Sequence, residues 1–218
     1  MNQIRCAAFD VDGTLLDSHE TNYAAAVETI QELTGRTIDR EFFQTIFGLS
    51  GYDTGKLIYP QDPNRYFERA AQKEADYTIR LALFPAVLAM LHSLKDAGIR
   101  LAVVTGRTRK EYENNFSSFG LDGLFDPIIC ADDTGKAKPD RAPMDLLVQK
   151  TGLDPQEIVY IGDTENDSAS ARAAGIPFYL AGWGTSDPQI PADRLLQTPQ
   201  ELETLLTGKK PSFEKQDS

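Results

Sequence analysis

Apolar residues fall along the chain in short continuous runs rather than in alternation. The first is Cys6-Ala7-Ala8-Phe9, and it stops at Asp10. Four others resemble it: 99–106 (IRLAVVTG), 127–133 (PIICADD), 157–163 (EIVYIGD) and 177–184 (PFYLAGWG). Each is rich in β-branched or aromatic residues and ends on Gly, Asp or Thr. Such runs suit strands buried on both faces. Between them the apolar positions take helical spacing over 85–97, 108–118, 140–151 and 167–174. Gly98, Gly120, Gly152 and Gly175 follow these stretches, where a left-handed residue ends a helix. Strands alternating with helices predict an α/β fold, a doubly wound, Rossmann-like parallel sheet.

Residues 17–84 break this rhythm, with helical patterns at 18–34, 39–47 and 62–83 and no convincing strand. The pattern predicts an α/β core of 1–16 plus 85–207, a helical insert of 17–84 after the first strand, and a flexible polar tail at 208–218. Pro85 marks the return to the core, and the hinges fall at Leu16-Asp17-Ser18 and Leu83-Phe84-Pro85.

Composition narrows the classes. The 218 residues are 41% hydrophobic and 25% charged, with a formal net charge of −11. That charge argues against nucleic acid or an anionic membrane as partner. Cys6 and Cys130 are too few for a disulfide framework or a zinc site and read as buried small hydrophobes. Neither a signal peptide nor an apolar run of about 18 residues is visible, so a cytoplasmic protein is expected. No obligate protein partner is evident.

Ligands of open α/β sheets bind beyond the carboxyl ends of the strands. There the sequence places Asp10, Asp12, Thr105, Asp132, Asp133 and Asp163, with Lys138 and Asp167 just after strands. Several carboxylates in one site need a cation, and an all-oxygen donor set favours Mg²⁺. Lys138 supplies a point charge for a phosphoryl group. Thr105 adds a hydroxyl, and the turn amide of Gly106 a further donor. Asp10 and Asp12 are two apart, so one can attack phosphorus while the other carries a proton. Gly13 lets the chain turn away.

Simpler motifs fail. The spacing around Gly13 puts Ala8 and His19 at the ends of a calcium loop, and Gly55-Lys56 lacks the remainder of a Walker loop. A tight Asp-Gly hairpin needs a second strand, where 18–34 reads as helix.

In order, Asp10-Val11-Asp12-Gly13-Thr14, Val103-Val104-Thr105, Lys138-Pro139 and Gly162-Asp163 with Asp167 resemble the haloacid dehalogenase-like hydrolase superfamily. The Ala171–Gly175 and Gly182–Gly184 stretches add likeness to its phosphoglycolate phosphatase-like branch. The resemblance implies a Mg²⁺-dependent phosphatase acting on a small phosphorylated metabolite through an aspartyl-phosphate. Asp10 would be nucleophile and Asp12 acid and base. Thr105, Gly106 and Lys138 would bind the phosphoryl group, with Arg107 placed to touch substrate or else solvated at a helix start. Asp10, the Asp12 backbone carbonyl and Asp163 would hold the metal, and Asp167 would support its waters or Lys138. Lys136 is a rival for the lysine role.

A cap loop at Gly48-Leu49-Ser50-Gly51 would close over the site and set specificity, although an ordinary interhelical turn reads the same way. The Lys138–Pro139 bond is expected to be cis, turning the ammonium into the pocket. His19 is expected at the surface, His92 in a structural role, and Trp183 packed at the end of the sheet.

Sugar phosphomutase chemistry shares nearly all these residues. A 2-haloacid dehalogenase needs no general acid, so Asp12 argues against it. Phosphonoacetaldehyde hydrolysis needs a cap lysine, which only Lys56 approaches. A receiver-type signalling domain accepts phosphate after its third strand and has no such insert.

Overall fold

The computed structural model describes residues 3–77, 81–116, 119–121 and 123–208. The tail beyond 208 and the ends of the stretches predicted at 62–83 and 108–118 lie partly outside these residues. Strands β1 (Cys6–Phe9), β2 (Arg100–Val104), β3 (Ile128–Ile129), β4 (Ile158–Gly162), β5 (Phe178–Ala181) and β6 (Arg194–Leu196) form one sheet. Its order is β3-β2-β1-β4-β5-β6, and every pairing is parallel. β1 therefore lies between β2 and β4, so the loops that follow these three strands open side by side.

The strands are apolar on both faces because both faces are covered. Ala7 and Phe9 face one layer, with Leu101, Val103, Val87 and Leu91. Cys6 and Ala8 face the other, with Ala102, Val104, Met144 and Ala171. Helices α5 (Val87–Asp96) and α9 (Pro199–Thr207) pack together on the first side, and α7 (Ala142–Thr151) and α8 (Glu165–Ala173) meet on the second. Helix α6 (Arg109–Phe116) follows β2. Burial pushes the Cys6 thiol up to about 12, as a small buried hydrophobe requires.

Between β1 and α5 run α1 (His19–Thr34), α2 (Arg40–Ile46), α3 (Gly51–Ile58) and α4 (Pro63–Tyr77). They close around a core of their own: Ala26, Ile30, Phe43, Ile46 and Tyr66. The two connections to the sheet domain are tied together. The Asp17 amide donates to the Ala82 carbonyl (2.9 Å) and the Phe84 amide to the Leu15 carbonyl (3.1 Å), while Leu16 and Leu83 form an antiparallel bridge. Within the stretch 62–83 the described residues form α4 to Tyr77, and the predicted helix gives way over 81–83 to this ribbon. Helix α3 was not legible in the sequence, nor were β6 and α9.

Candidate active site

The site is built at the carboxyl ends of β1, β2 and β4. After Phe9 the chain carries Asp10 out of the sheet and turns at Gly13 (φ 72°). A Cβ at Gly13 would lie 2.1 Å from Asp163 Oδ2, so only glycine fits beneath that carboxylate. The Thr14 hydroxyl donates to Asp163 Oδ1 (3.0 Å), fixing the loop after β4 to the loop after β1. Asp167 occupies the first turn of α8, in a capping box with Thr164.

The Asp10, Asp163 and Asp167 carboxylates offer oxygens within 4.8 Å of one another. Lys138 is buried against them, 2.6 Å from Asp167 Oδ1 and 3.0 Å from Asp10 Oδ1. Its Nζ also donates to the Tyr160 hydroxyl (3.0 Å), which donates to the Val104 carbonyl (2.8 Å). The Lys138–Pro139 bond is cis, as expected. Lys136 instead pairs with Asp140 at the surface, which removes it as a rival.

Three buried carboxylates against one ammonium leave two negative charges uncompensated. Burial, opposed by Lys138 and reinforced by the charges of Asp167 and Asp12, pushes the Asp10 carboxyl up to about 7. Burial, then Asp167 and Asp10, push Asp163 well above the carboxylate range. Burial would depress the Lys138 ammonium, but Asp10 and Asp167 outweigh it and hold it charged. Asp10 Oδ1 accepts no well-aligned hydrogen bond despite its burial. An under-satisfied oxygen, an all-carboxylate donor set and a deficit of two positive charges fit a hard divalent cation.

Asp12 sits differently. Arg107 grips both its oxygens, Nε to Oδ2 (2.7 Å) and Nη2 to Oδ1 (2.6 Å). Ser18 (2.6 Å) and Asn22 (3.2 Å) donate to Oδ1 as well. Burial alone would raise the Asp12 carboxyl, but Arg107 and these donors bring it below its ordinary value. Of the two alternatives for Arg107, substrate contact or solvation at a helix start, the solvated one is corrected here. The residue is 94% buried, drawn inward by Asp12 and by Glu74 of α4, whose Oε2 is 3.6 Å from Nη1. Glu74 was not visible as a site residue, because only the fold, with α4 packed on α1 and α3, brings it to the Arg107 that follows β2. Its carboxyl rises to about 7, pushed up by burial and held back by Arg107.

Asp10, Asp12, Gly106, Arg107 and Lys138 line one cavity with Gly48, Leu49 and Gly51 of the inserted helical segment. Gly106 faces the Leu49–Ser50 backbone across the cavity, and a Cβ at Gly106 would make ordinary van der Waals contact, 3.9 Å, with the Leu49 carbonyl oxygen. The buried Thr105 hydroxyl accepts from the Arg107 amide (3.2 Å). Ser50 caps α3 through Asp53 and lines a neighbouring groove.

The remaining candidates lie outside this cavity. Asp132 and Asp133 hold the Arg109 and Cys130 amides, respectively. Lys56 pairs with Asp53 (2.9 Å), which keeps it protonated and unsuited to imine chemistry. His19 is half-buried, packed edge-on against Phe43 and tilted against Phe47, rather than at the surface. His92 is exposed. Trp183 donates to the Thr14 carbonyl (2.9 Å) at the end of the sheet.

Comparison with known proteins agrees with this geometry. Residues 7–181 match the family model described as haloacid dehalogenase-like hydrolase. The chain is 30% identical to the pyrophosphatase PpaX of Bacillus pumilus over 182 residues, 83% of this chain and 84% of that protein. It is 30% identical to the plasmid phosphoglycolate phosphatase of Cupriavidus necator over 213 residues, 91% of each. The crystal structure of CbbY from Rhodobacter sphaeroides in complex with phosphate superposes with a TM-score of 0.79 at 25% identity, covering 92% of this chain and 96% of that one. The chain belongs to the haloacid dehalogenase-like hydrolases, in their phosphoglycolate phosphatase-like branch.

Proposed function

We propose that the protein is a Mg²⁺-dependent phosphatase that hydrolyses a small phosphomonoester through an aspartyl-phosphate on Asp10. The observation that carries this reading is the Asp10–Lys138–Asp163–Asp167 cluster, with its deficit of two positive charges and an Asp10 oxygen short of partners. Asp10, Asp163 and the backbone carbonyl of Asp12 would hold the ion, and Asp167 would fix Lys138. The ion supplies charge compensation for the phosphoryl oxygens.

Lys138 and the amide of Gly106 receive those oxygens, with Thr105 beside them. An Asp10 oxygen attacks phosphorus, the phosphorus–oxygen bond to the leaving group breaks, and Asp12 gives that oxygen a proton. Water then attacks phosphorus and passes its proton to Asp12. The Asp10 carboxylate is regenerated and inorganic phosphate leaves. Arg107 holds Asp12 ionised, which suits the second step. The first step needs Asp12 protonated, so esters of poor leaving groups should react slowly at high pH.

Hydrolysis of p-nitrophenyl phosphate and of a panel of metabolite phosphates, with Mg²⁺ and with excess EDTA, tests the reading. Phosphate release that requires Mg²⁺ is expected. Turnover undiminished by EDTA contradicts it.

A further inference from the structure

The walls of the Asp10 cavity are unequal. The core side contributes both cations, Lys138 and Arg107. Lys138 is committed to Asp10 and Asp167, and Arg107 to Asp12. The cap side is largely apolar, with Phe43, Phe47, Tyr66 and Phe67; Asn22 and Thr54 add polar groups to it, and its charged residue is Glu74. Among the described residues the cap brings no lysine, arginine or histidine to this cavity. The lysines of the neighbouring groove, Lys56 and Lys136, are paired with Asp53 and Asp140.

Arg107 Nη1 is buried and has no hydrogen-bond partner. Glu74 Oε2 stands 3.6 Å away, too far for a direct hydrogen bond but close enough for an oxygen to sit against both. A fixed donor beside a fixed acceptor is matched by a hydroxyl, which accepts from one and donates to the other. A second anion would satisfy Nη1 only at the expense of facing Glu74 and Asp12. The cavity, about 110 Å³, holds roughly seven to eleven non-hydrogen atoms at about one water-sized occupant per 10–15 Å³.

We infer that the substrate's leaving group is small, uncharged and hydroxylated, with a hydroxyl bound between Arg107 Nη1 and Glu74. This rests on the phosphatase reading above and adds the class of ester. It sets the protein apart from relatives named for phosphoglycolate and pyrophosphate, in which the group beyond the scissile bond is anionic.

The test compares kcat/KM, in the Mg²⁺-loaded enzyme, for glycerol 3-phosphate, phosphoglycolate, pyrophosphate and p-nitrophenyl phosphate. The wild-type enzyme is expected to favour glycerol 3-phosphate over both anionic substrates by at least about tenfold, since like charges in a desolvated site exclude each other. Glu74→Gln removes the charge and keeps the shape. It is expected to narrow that preference about tenfold, chiefly through a lower KM for the anionic substrates relative to that for glycerol 3-phosphate. A wild-type preference for phosphoglycolate or pyrophosphate overturns the inference while leaving the phosphatase reading intact. A preference that Glu74→Gln leaves unmoved overturns the role of Glu74. Failure to hydrolyse any ester, p-nitrophenyl phosphate included, overturns both readings together.

Discussion

Replacing Asp10 by Asn should stabilise the metal-free protein while abolishing turnover. Asp10 is 95% buried among Asp163, Asp167 and Lys138, and its carboxyl is raised from 3.8 to about 7. A carboxyl whose folded pKa lies above its unfolded value lowers stability when ionised. The metal-free protein is thus most stable below the unfolded pKa and loses stability as pH rises through about 7. A rise of about three units corresponds to about 4 kcal/mol at about 1.4 kcal/mol per unit. Asp163 is raised as well, and its protonation relieves part of the same repulsion, so about half of that figure, about 2 kcal/mol, is taken for Asp10 alone. In a chain of this length that is about 4–8 °C in Tm.

The assay is thermal unfolding of wild type and Asp10→Asn in excess EDTA, at about pH 5 and about pH 8. The variant should melt higher at the upper pH, and the difference should shrink at the lower one. Mg²⁺ should close the gap by stabilising wild type more than the variant, since the amide is the poorer ligand. A variant that melts at or below wild type near pH 8 in EDTA would refute the claim that these carboxylates repel one another uncompensated.

Asp10→Asn should also lower the steady-state rate to under about a hundredth of wild type, and a rate above that removes Asp10 as nucleophile. Arg107→Met frees Asp12 from the guanidinium that depresses its pKa, so the acid limb of the pH–kcat profile should move to higher pH. An unmoved limb takes Asp12 out of proton transfer. Gly48→Ala puts a Cβ 2.9 Å from Thr164 Cγ2 at a residue with φ 83°. Lower kcat/KM with an unchanged circular dichroism spectrum is expected as the cap loop is held off the core, and unchanged kinetics would separate the loop from the site. Substitution of Leu49, which lines the cavity, should alter preference among esters more than hydrolysis of p-nitrophenyl phosphate.

What could be read from the sequence is what depends on chain-local patterns. Continuous apolar runs ending in Asp or Thr identify β1, β2 and β4, because a strand buried on both faces has no polar period to hide it. Their shared polarity at the carboxyl end then places Asp10, Thr105 and Asp163 in one crevice. Helix α3 escaped because Gly51 and Gly55 weaken its propensity; both are packed closely, against Phe67 and the Pro63 backbone, where larger residues would collide. Strand β6 escaped because it is an edge strand of three residues, two of them exposed. Arg107 was legible as a candidate, but its pairing was not, because its partners are remote in sequence: Asp12 lies 95 residues away and Glu74 belongs to another layer. A charged residue two positions past Thr105 carries no local sign of whether it turns to solvent or inward.

The most direct measurement of the central claim is a search for the covalent intermediate. Asp12→Asn is mixed with p-nitrophenyl phosphate and Mg²⁺. Its leaving group needs little protonation, whereas attack of water on the intermediate still lacks its base. The enzyme is quenched in acid and digested, and its peptides are mapped by mass spectrometry. A phosphoryl group on Asp10, formed with a burst of nitrophenol and absent in Asp10→Asn, is the predicted result. Nitrophenol release with Asp10 unmodified, or a phosphoryl group on any other residue, would contradict it.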